Sequence, residues 1–317
     1  MSLPALHRAV DRAAMWWEDR AARTAAPFHP GPPGPLGCFG PLPATPPPPA
    51  GPGEWSAPAP GGGTGADDRM RIHCRVARGS FRGTALLLPP WKLPRAGLLG
   101  GWTDLLARSG FDAWLLVPPH HLERAAPGTR SGEEFASPDL GRLRASLEQT
   151  VLEVRVAAAM ARQRGPAGVV GLSLGALAAA LAATGPEPLD FAALVAPPDL
   201  AWVAERTPIG RRLARLAFRG GAPLPPAAAL RAALEPLAPR LRRPTARRLL
   251  VAAGLDDVIA GREGPEGLAR AWGVAPRLYP RGHLTLLFAC GALRRDLSAF
   301  LRATTSSWPP GRRPAPS

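Results

Sequence analysis

The chain has 317 residues, a formal net charge of +15 and 46% hydrophobic residues. This length is enough for one large hydrophobic core, or for one domain with added segments. Although the charge suggests nucleic-acid binding, the arginines are spread along the whole chain, and few aromatic residues lie between them as stacking platforms. We therefore expect a solvated basic surface and no nucleic-acid partner.

The cysteines and the first residues favour a cytoplasmic protein without a membrane span. Cys38, Cys74 and Cys290 are odd in number, and no two of them have the spacing of metal ligands. Residues 1–26 carry charges throughout and lack the apolar stretch of a signal peptide. No run of about 18 apolar residues occurs, so no membrane-spanning helix is expected.

Two segments precede the first strands. Residues 1–26 are predicted to contain an amphipathic helix, over 4–24, whose apolar stripe packs on its own domain. The members of this stripe are Leu6, Val10, Ala13 and Trp17. Residues 27–66 are dense in proline and glycine, which predicts a linker or an extended strap without regular structure. Trp55 is a candidate for the start of an edge strand.

Short apolar segments separated by helices indicate a parallel sheet that is covered on both faces. The predicted strands are 70–76, 83–88, 111–117, 167–170, 190–195, 248–253 and 277–279. The predicted helices are 98–108, 140–164, 265–272 and a closing helix over about 286–302. Helix 140–164 should bury one apolar face, which consists of Leu143, Leu147, Val151, Val154 and Ala158. Residues 199–244 are predicted to form a helical cap insertion, and residues 304–317 a disordered tail.

The most informative segment is 166–184, which predicts a strand, a sharp turn and a helix with Ser173 at the turn. Gly171 and Gly175 flank the serine and allow the strand and the helix to approach closely. A nucleophile elbow has this arrangement, and the helix N-terminus offers N–H groups and a positive dipole end to an oxyanion.

Two further candidate residues follow the elbow along the chain, each after a predicted strand. Asp257 comes after the strand that ends at Gly254, and His283 comes after the last predicted strand. Because Ser173, Asp257 and His283 each follow the carboxyl end of a strand, we expect them at one edge of the sheet. The order serine, aspartate, histidine is that of one group of hydrolases.

The chain resembles the α/β-hydrolase superfamily over about residues 53–303. The resemblance rests on the motifs Gly171–Gly175, Gly254–Asp257 and Gly282–His283. It implies a mostly parallel central sheet with helices on both faces and a small helical cap. Some loops are also similar to a branch of abhydrolase-domain proteins. These loops contain Pro89-Pro90-Trp91, Pro119-His120-His121 and Ser131-Gly132-Glu133.

The resemblance implies a role for each residue of the motifs. Ser173 is the expected nucleophile, His283 the general base, and Asp257 the residue that orients the histidine. Asp256 and Asp199 are rivals for the acid, but Asp257 lies three residues after Gly254, which is the spacing of the family.

Two backbone N–H groups are expected to form the oxyanion hole. One is that of Leu174, and the other belongs to the loop after strand 83–88. Pro89 and Pro90 follow that strand and have no N–H to donate, so Trp91 or Lys92 must supply the second donor.

His120 and His121 lie in a polar loop after a strand, where open α/β sheets bind ligands. They are predicted either to order this loop by hydrogen bonds or to contact substrate in the pocket. No carboxylate or cysteine has convincing ligand spacing around them, so we predict no metal. No dinucleotide fingerprint or phosphate loop is present, so no cofactor is predicted.

Taken together, these features predict a serine hydrolase that cleaves an ester, thioester or amide through an acyl-enzyme. The apolar positions of the cap predict a small-molecule acyl substrate that is partly hydrophobic. Two alternatives remain open, namely acyl transfer by the same triad and a non-catalytic binding or scaffold protein on the same fold.

Overall fold

The computed structural model describes residues 2–21, 27–32, 34–62 and 68–305. Its central element is an eight-stranded sheet with the strand order β1-β2-β4-β3-β5-β6-β7-β8. The strands are β1 Gly53–Pro58, β2 Arg69–Arg75, β3 Gly83–Leu88, β4 Phe111–Val117, β5 Ala167–Leu172, β6 Ala192–Val195, β7 Leu249–Gly254 and β8 Arg277–Tyr279. Only β2 runs antiparallel to its neighbours, β1 and β4, and all other neighbouring pairs are parallel.

Helices cover both faces of this sheet, as predicted for the α/β class. They are α1 Leu3–Ala21, α2 Gly100–Arg108, α3 Leu140–Arg162, α4 Leu174–Ala182, α5 Leu200–Arg206, α6 Pro208–Arg219, α7 Ala227–Leu234, α8 Glu263–Ala271, α9 His283–Ala289 and α10 Gly291–Thr305. Successive residues of β3 alternate between the two layers. Leu86 and Leu88 pack with α3 and α4, whereas Leu87 packs with α2 and α10. Both faces are buried, which explains why the central strands are mostly apolar.

Helix α3 buries the predicted apolar face. Its five members, Leu143, Leu147, Val151, Val154 and Ala158, are all buried. The proline-rich segment before β1 runs along a neighbouring side of the helix. There Arg144 donates to the carbonyls of Pro32, Gly34 and Pro35, and Arg155 donates to those of Cys38 and Gly40. Proline lacks an N–H, so arginine donors suit a segment that is rich in carbonyl acceptors.

The predicted packing of the first helix is wrong. Leu6 and Val10 are 42% and 36% exposed, whereas His7 and Asp11 lie on the buried face. The side chain of Trp17 lies outside the described residues. The apolar stripe therefore faces solvent, and the polar side of α1 is in contact with the domain.

The closing helix consists of two helices, α9 and α10, and the prediction of one continuous helix is wrong. Cys290 between them is extended, with φ −99° and ψ 94°, and its Sγ accepts the N–H of Leu293. The predicted tail also starts too early, because Thr304 is buried within α10. Residues 306–317 lie outside the described residues. Among the described helices, none combines the length and apolar character needed to cross a bilayer.

Candidate active site

Ser173 lies at a strained turn between β5 and α4. Its φ of 54° and ψ of −118° are unusual for a residue with a side chain, and its N–H donates to the carbonyl of Val195 at 2.8 Å. A Cβ at Gly171 would lie 2.4 Å from the Gly175 carbonyl oxygen, and one at Gly175 would lie 2.5 Å from that of Leu88. Only glycine allows this close approach, which holds the serine out beyond the edge of the sheet.

The structure brings His283 and Asp257 to this serine. The Nε2 atom of His283 lies 2.9 Å from Ser173 Oγ, and its Nδ1 lies 2.6 Å from Asp257 Oδ2. The other carboxylate oxygen of Asp257 accepts the N–H groups of Ile259 at 2.9 Å and Ala260 at 2.8 Å. These two bonds fix the orientation of the carboxylate, so one oxygen remains directed at the imidazole.

Electrostatics at His283 favour a base that can accept a proton. Burial alone would lower the pKa of this imidazole, but the negative charge and hydrogen bond of Asp257 outweigh it, and the net shift of the pKa is upward. The charge of Asp11 adds to the same effect. An imidazolium formed by taking the proton of Ser173 would therefore be stabilised in place.

The rival acids have other partners. Asp256 forms a 2.6 Å ion pair with Arg8. Asp199 caps the first turn of α5 through the N–H groups of Ala201 and Trp202, and it also pairs with Arg240. Of the three aspartates considered, Asp257 is the one that is hydrogen-bonded to His283.

Two backbone N–H groups near Ser173 are available to a developing oxyanion. Leu174 is the first residue of α4, and Trp91 lines the cavity beside the serine. Within the described part of the chain, neither N–H has an acceptor. The N–H of Lys92, the other predicted candidate, points at His121 Nε2 at 3.4 Å. The geometry thus favours Trp91 of the two alternatives.

The histidine pair does not line the cavity beside Ser173. His121 is buried, with Nδ1 2.8 Å from the Pro119 carbonyl and Nε2 facing the N–H of Lys92. His120 lies 3.7 Å from Glu134. The structure therefore does not place these histidines in the predicted substrate pocket. His121 links the loop after β4 to the loop that carries Trp91, which agrees with the alternative of a loop-ordering role.

The cap insertion encloses an apolar cavity of about 90 Å³ beside Ser173. Helices α5, α6 and α7 contribute Val203, Ile209, Leu213, Leu230 and Leu234 to its walls. Ser137 and Ser173 are the polar residues among its lining residues. A larger cavity of about 320 Å³ lies nearby, beside α5, α7 and α8, but none of Ser173, Asp257 and His283 lines it. The smaller cavity is the relevant one because it contains the serine.

No cluster of three histidine, cysteine, aspartate or glutamate residues suited to a metal ion occurs within the described ranges. One functional candidate was missed by sequence reasoning, namely Asp11, whose carboxylate accepts the backbone N–H of His283. Its partners are backbone groups, so no side-chain pattern in the sequence could identify them.

Comparison with known proteins finds similarity in structure alone. No protein-family model and no curated protein matches the chain. One similar structure is a soluble variant of monoglyceride lipase from Saccharomyces cerevisiae in complex with a substrate analogue, with a TM-score of 0.54 and 13% sequence identity. The match covers 75% of this chain and 93% of the lipase chain. Monoacylglycerol lipase from Paleococcus ferrophilus has a TM-score of 0.50 and 14% identity, covering 74% and 99%. At such identities the likeness concerns the fold.

Proposed function

We propose that this chain, which has the α/β-hydrolase fold, is a serine hydrolase that cleaves a carboxylic ester or a related acyl bond. The observation that carries the proposal is the alignment of Ser173 Oγ, His283 and Asp257 at 2.9 and 2.6 Å. The relatives named as monoglyceride and monoacylglycerol lipases support an ester as the bond cleaved.

In the proposed reaction, Ser173 Oγ attacks the acyl carbon while His283 Nε2 takes its proton. Asp257 holds the imidazole and stabilises its positive charge. The N–H groups of Leu174 and Trp91 donate to the oxyanion. His283 then gives the proton to the leaving alkoxide, which departs and leaves an acyl-enzyme. Water attacks this ester with the same base, and the acid product leaves.

The cavity supports a partly hydrophobic, small-molecule acyl substrate. Its walls are apolar apart from Ser137 and Ser173, so an acyl chain is a better match than a charged group. We expect activity on p-nitrophenyl esters to rise from acetate towards longer straight chains, until the chain no longer fits the cavity.

The first test is labelling of the purified protein by a fluorophosphonate probe, which reacts with activated serines. Wild type should be labelled and Ser173→Ala should not. Ser137→Ala is the matched control, since Ser137 lines the same cavity but pairs with the backbone of Asp139. It should keep its label. A folded wild type without label would reject the proposal in favour of a binding role. A labelled Ser173→Ala would reject Ser173 as the nucleophile.

A reducing, cytoplasmic setting is part of the proposal. The three cysteines are free thiols. Burial raises the pKa of Cys38 and of Cys74 to about 12, so neither thiol ionises readily at neutral pH. Fluorescence microscopy of the tagged full chain would test this, and a signal confined to an oxidising compartment would contradict it.

A further inference from the structure

The buried face of α1 contacts both loops that carry the proposed acid and base. Asp11 on this face has no exposed surface. Its Oδ2 accepts the N–H of His283 at 2.7 Å, and its Oδ1 accepts that of Leu284 at 3.0 Å. The N–H of Val258, the residue after Asp257, lies 3.5 Å from the same Oδ2. One carboxylate thus joins the two loops.

The N–H groups that Asp11 accepts are the first two of α9. The initial N–H groups of a helix have no partner within the helix, and a polar side chain just before it usually accepts them. Gly282 occupies that place and has no side chain to do so. A Cβ at Gly282 would lie only 2.7 Å from Asp11 Oδ2, so the glycine also makes room for the carboxylate. Asp11 therefore supplies the helix cap from another helix.

Two more contacts hold α1 against these loops. Arg8 Nη1 lies 2.6 Å from Asp256 Oδ1, in the acid loop. His7 Nδ1 lies 3.1 Å from Thr285 Oγ1, in the first turn of α9. Since residues 7, 8 and 11 share one side of the helix, this part of the buried face of α1 is matched to the acid and base loops.

The face that α1 buries indicates a role beyond attaching this helix to the domain. A helix that only needed to attach could bury Leu6 and Val10, yet both are exposed. A buried carboxylate costs free energy unless its partners compensate for the lost water. Here the partners are the backbone of the base itself, and the charge lies close enough to act on its ring.

We propose that Asp11 is a positioning residue for His283. Its carboxylate fixes the base loop relative to the acid loop, and its negative charge acts with that of Asp257 to stabilise the imidazolium. This inference rests on the proposed function for its catalytic readout, but its effect on the imidazole can be measured without any substrate.

The central experiment is Asp11→Asn in the full chain. Asparagine keeps the shape of the side chain, removes the charge and places an NH₂ group against one of the two N–H donors. We expect kcat for p-nitrophenyl butyrate to fall by about 10- to 100-fold, the range for a misplaced catalytic group. KM should stay near that of wild type, because Asp11 does not line the cavity.

The pH profile separates positioning from a general loss of structure. The charged and titratable groups around His283 are Asp257 and Asp11, with His7 and the Arg8–Asp256 pair next to them. Removing one negative charge destabilises the imidazolium, so the pKa of His283 falls. The unprotonated base then persists to lower pH, and the acid limb of kcat/KM should move to lower pH in Asp11→Asn.

Arg12→Ala is the matched control, because Arg12 is exposed on the same helix and lines a separate cleft against α6. It should leave kcat and the acid limb unchanged. Thermal unfolding establishes that each variant is folded, and Asp11→Ser, which keeps one acceptor oxygen without charge, replaces Asp11→Asn if the latter does not fold. Equal losses in Arg12→Ala and Asp11→Asn would overturn the inference.

An NMR titration of the His283 ring decides the matter independently of activity. The chain has six histidines, and His283→Gln assigns the signal. A lower pKa of His283 in folded Asp11→Asn supports the inference even if wild type proves to be inactive, which would defeat the proposed function alone. An unchanged pKa together with an unchanged kcat would overturn the role of Asp11.

Discussion

Helices α1 and α3 are both amphipathic in sequence, yet they bury opposite kinds of face. Helix α3 turns Leu147 and Val151 into the core, whereas α1 turns His7 and Asp11 inward and leaves Leu6 exposed. The difference lies in what each helix meets. Helix α3 meets the apolar side of the sheet, and α1 meets loops whose backbone N–H groups need acceptors.

The comparison shows when apolar periodicity predicts a buried face. Burial of a large apolar side chain is worth about 1.5–3 kcal/mol, and a buried N–H without a partner costs about 1–3 kcal/mol. These magnitudes are similar. Against an apolar sheet, only the burial of apolar side chains applies. Against the start of another helix, the cost of unpaired N–H groups can decide which face is buried.

The largest effect is expected from removing the buried ion pair that attaches α3 to the rest of the domain. Glu153 on α3 forms a buried ion pair with Arg124, with contacts of 2.7 and 3.0 Å. Glu153→Ala should reduce the free energy of unfolding by about 3–5 kcal/mol, because a buried guanidinium loses its carboxylate. Urea denaturation measures this. Glu153→Gln keeps the size and one acceptor but removes the charge, so it should lose less. Equal losses in the two variants would show that the charge matters rather than the size or the remaining acceptor.

A smaller effect should come from the apolar face of α3. Leu147 is fully buried, so Leu147→Ala leaves a cavity and should cost about 2–5 kcal/mol in the free energy of unfolding. Leu152→Ala makes the same change at a half-buried position of the helix and should cost clearly less. A larger loss at Leu152, measured by the same denaturation curves, would contradict the assignment of the buried face.

The polar face of α1 should give a pH-dependent effect. Burial raises the pKa of Asp11 above 3.8 and outweighs the hydrogen bonds from Leu284 and His283. Between the unfolded and the folded pKa the folded state holds more protons, so the stability contributed by Asp11 decreases as pH rises through this window. Relative to Asp11→Asn, wild type should therefore be most stable at the acidic end. The difference should change by on the order of 1 kcal/mol per pKa unit. Denaturation curves across this window would contradict the shift if the difference stayed constant.

The smallest effect is expected on the exposed stripe of α1. Val10→Ser should change the free energy of unfolding by less than about 0.5 kcal/mol, as for other surface positions. Met15→Ser, on the buried side of the same helix, is the comparison and should cost more. If thermal unfolding gave the reverse order, the orientation of α1 would be wrong.

Local patterns predicted most of the sheet. The strands β3 and β4 have the same bounds in sequence and structure, because strands buried on both faces are apolar at most positions. The order of Ser173, Asp257 and His283 and their places after strands are readable along the chain, and they predicted that these residues lie at one edge of the sheet. The structure then brought the three side chains together.

Other features depend on contacts that leave no local pattern. Asp11 lies 272 residues from His283, and its partners there are N–H groups that nearly every residue has. The break at Cys290 lies between two segments that are both good helix formers, so periodicity alone predicts one helix. The polar residue His121 was ambiguous for the same reason, because its partners are a carbonyl and an N–H of other loops.

The cap that Asp11 provides to α9 has a consequence for the order of assembly. Ribosomes make α1 before α9, and the contact between them closes a long loop, since Asp11 and His283 are 272 residues apart. Contacts of such long sequence separation are slow to form. The elbow at Ser173 can form while the last strand is still being synthesised. His283 can be positioned only after α1 and α9 have come into contact. The proposed activity therefore arises only when the domain is complete.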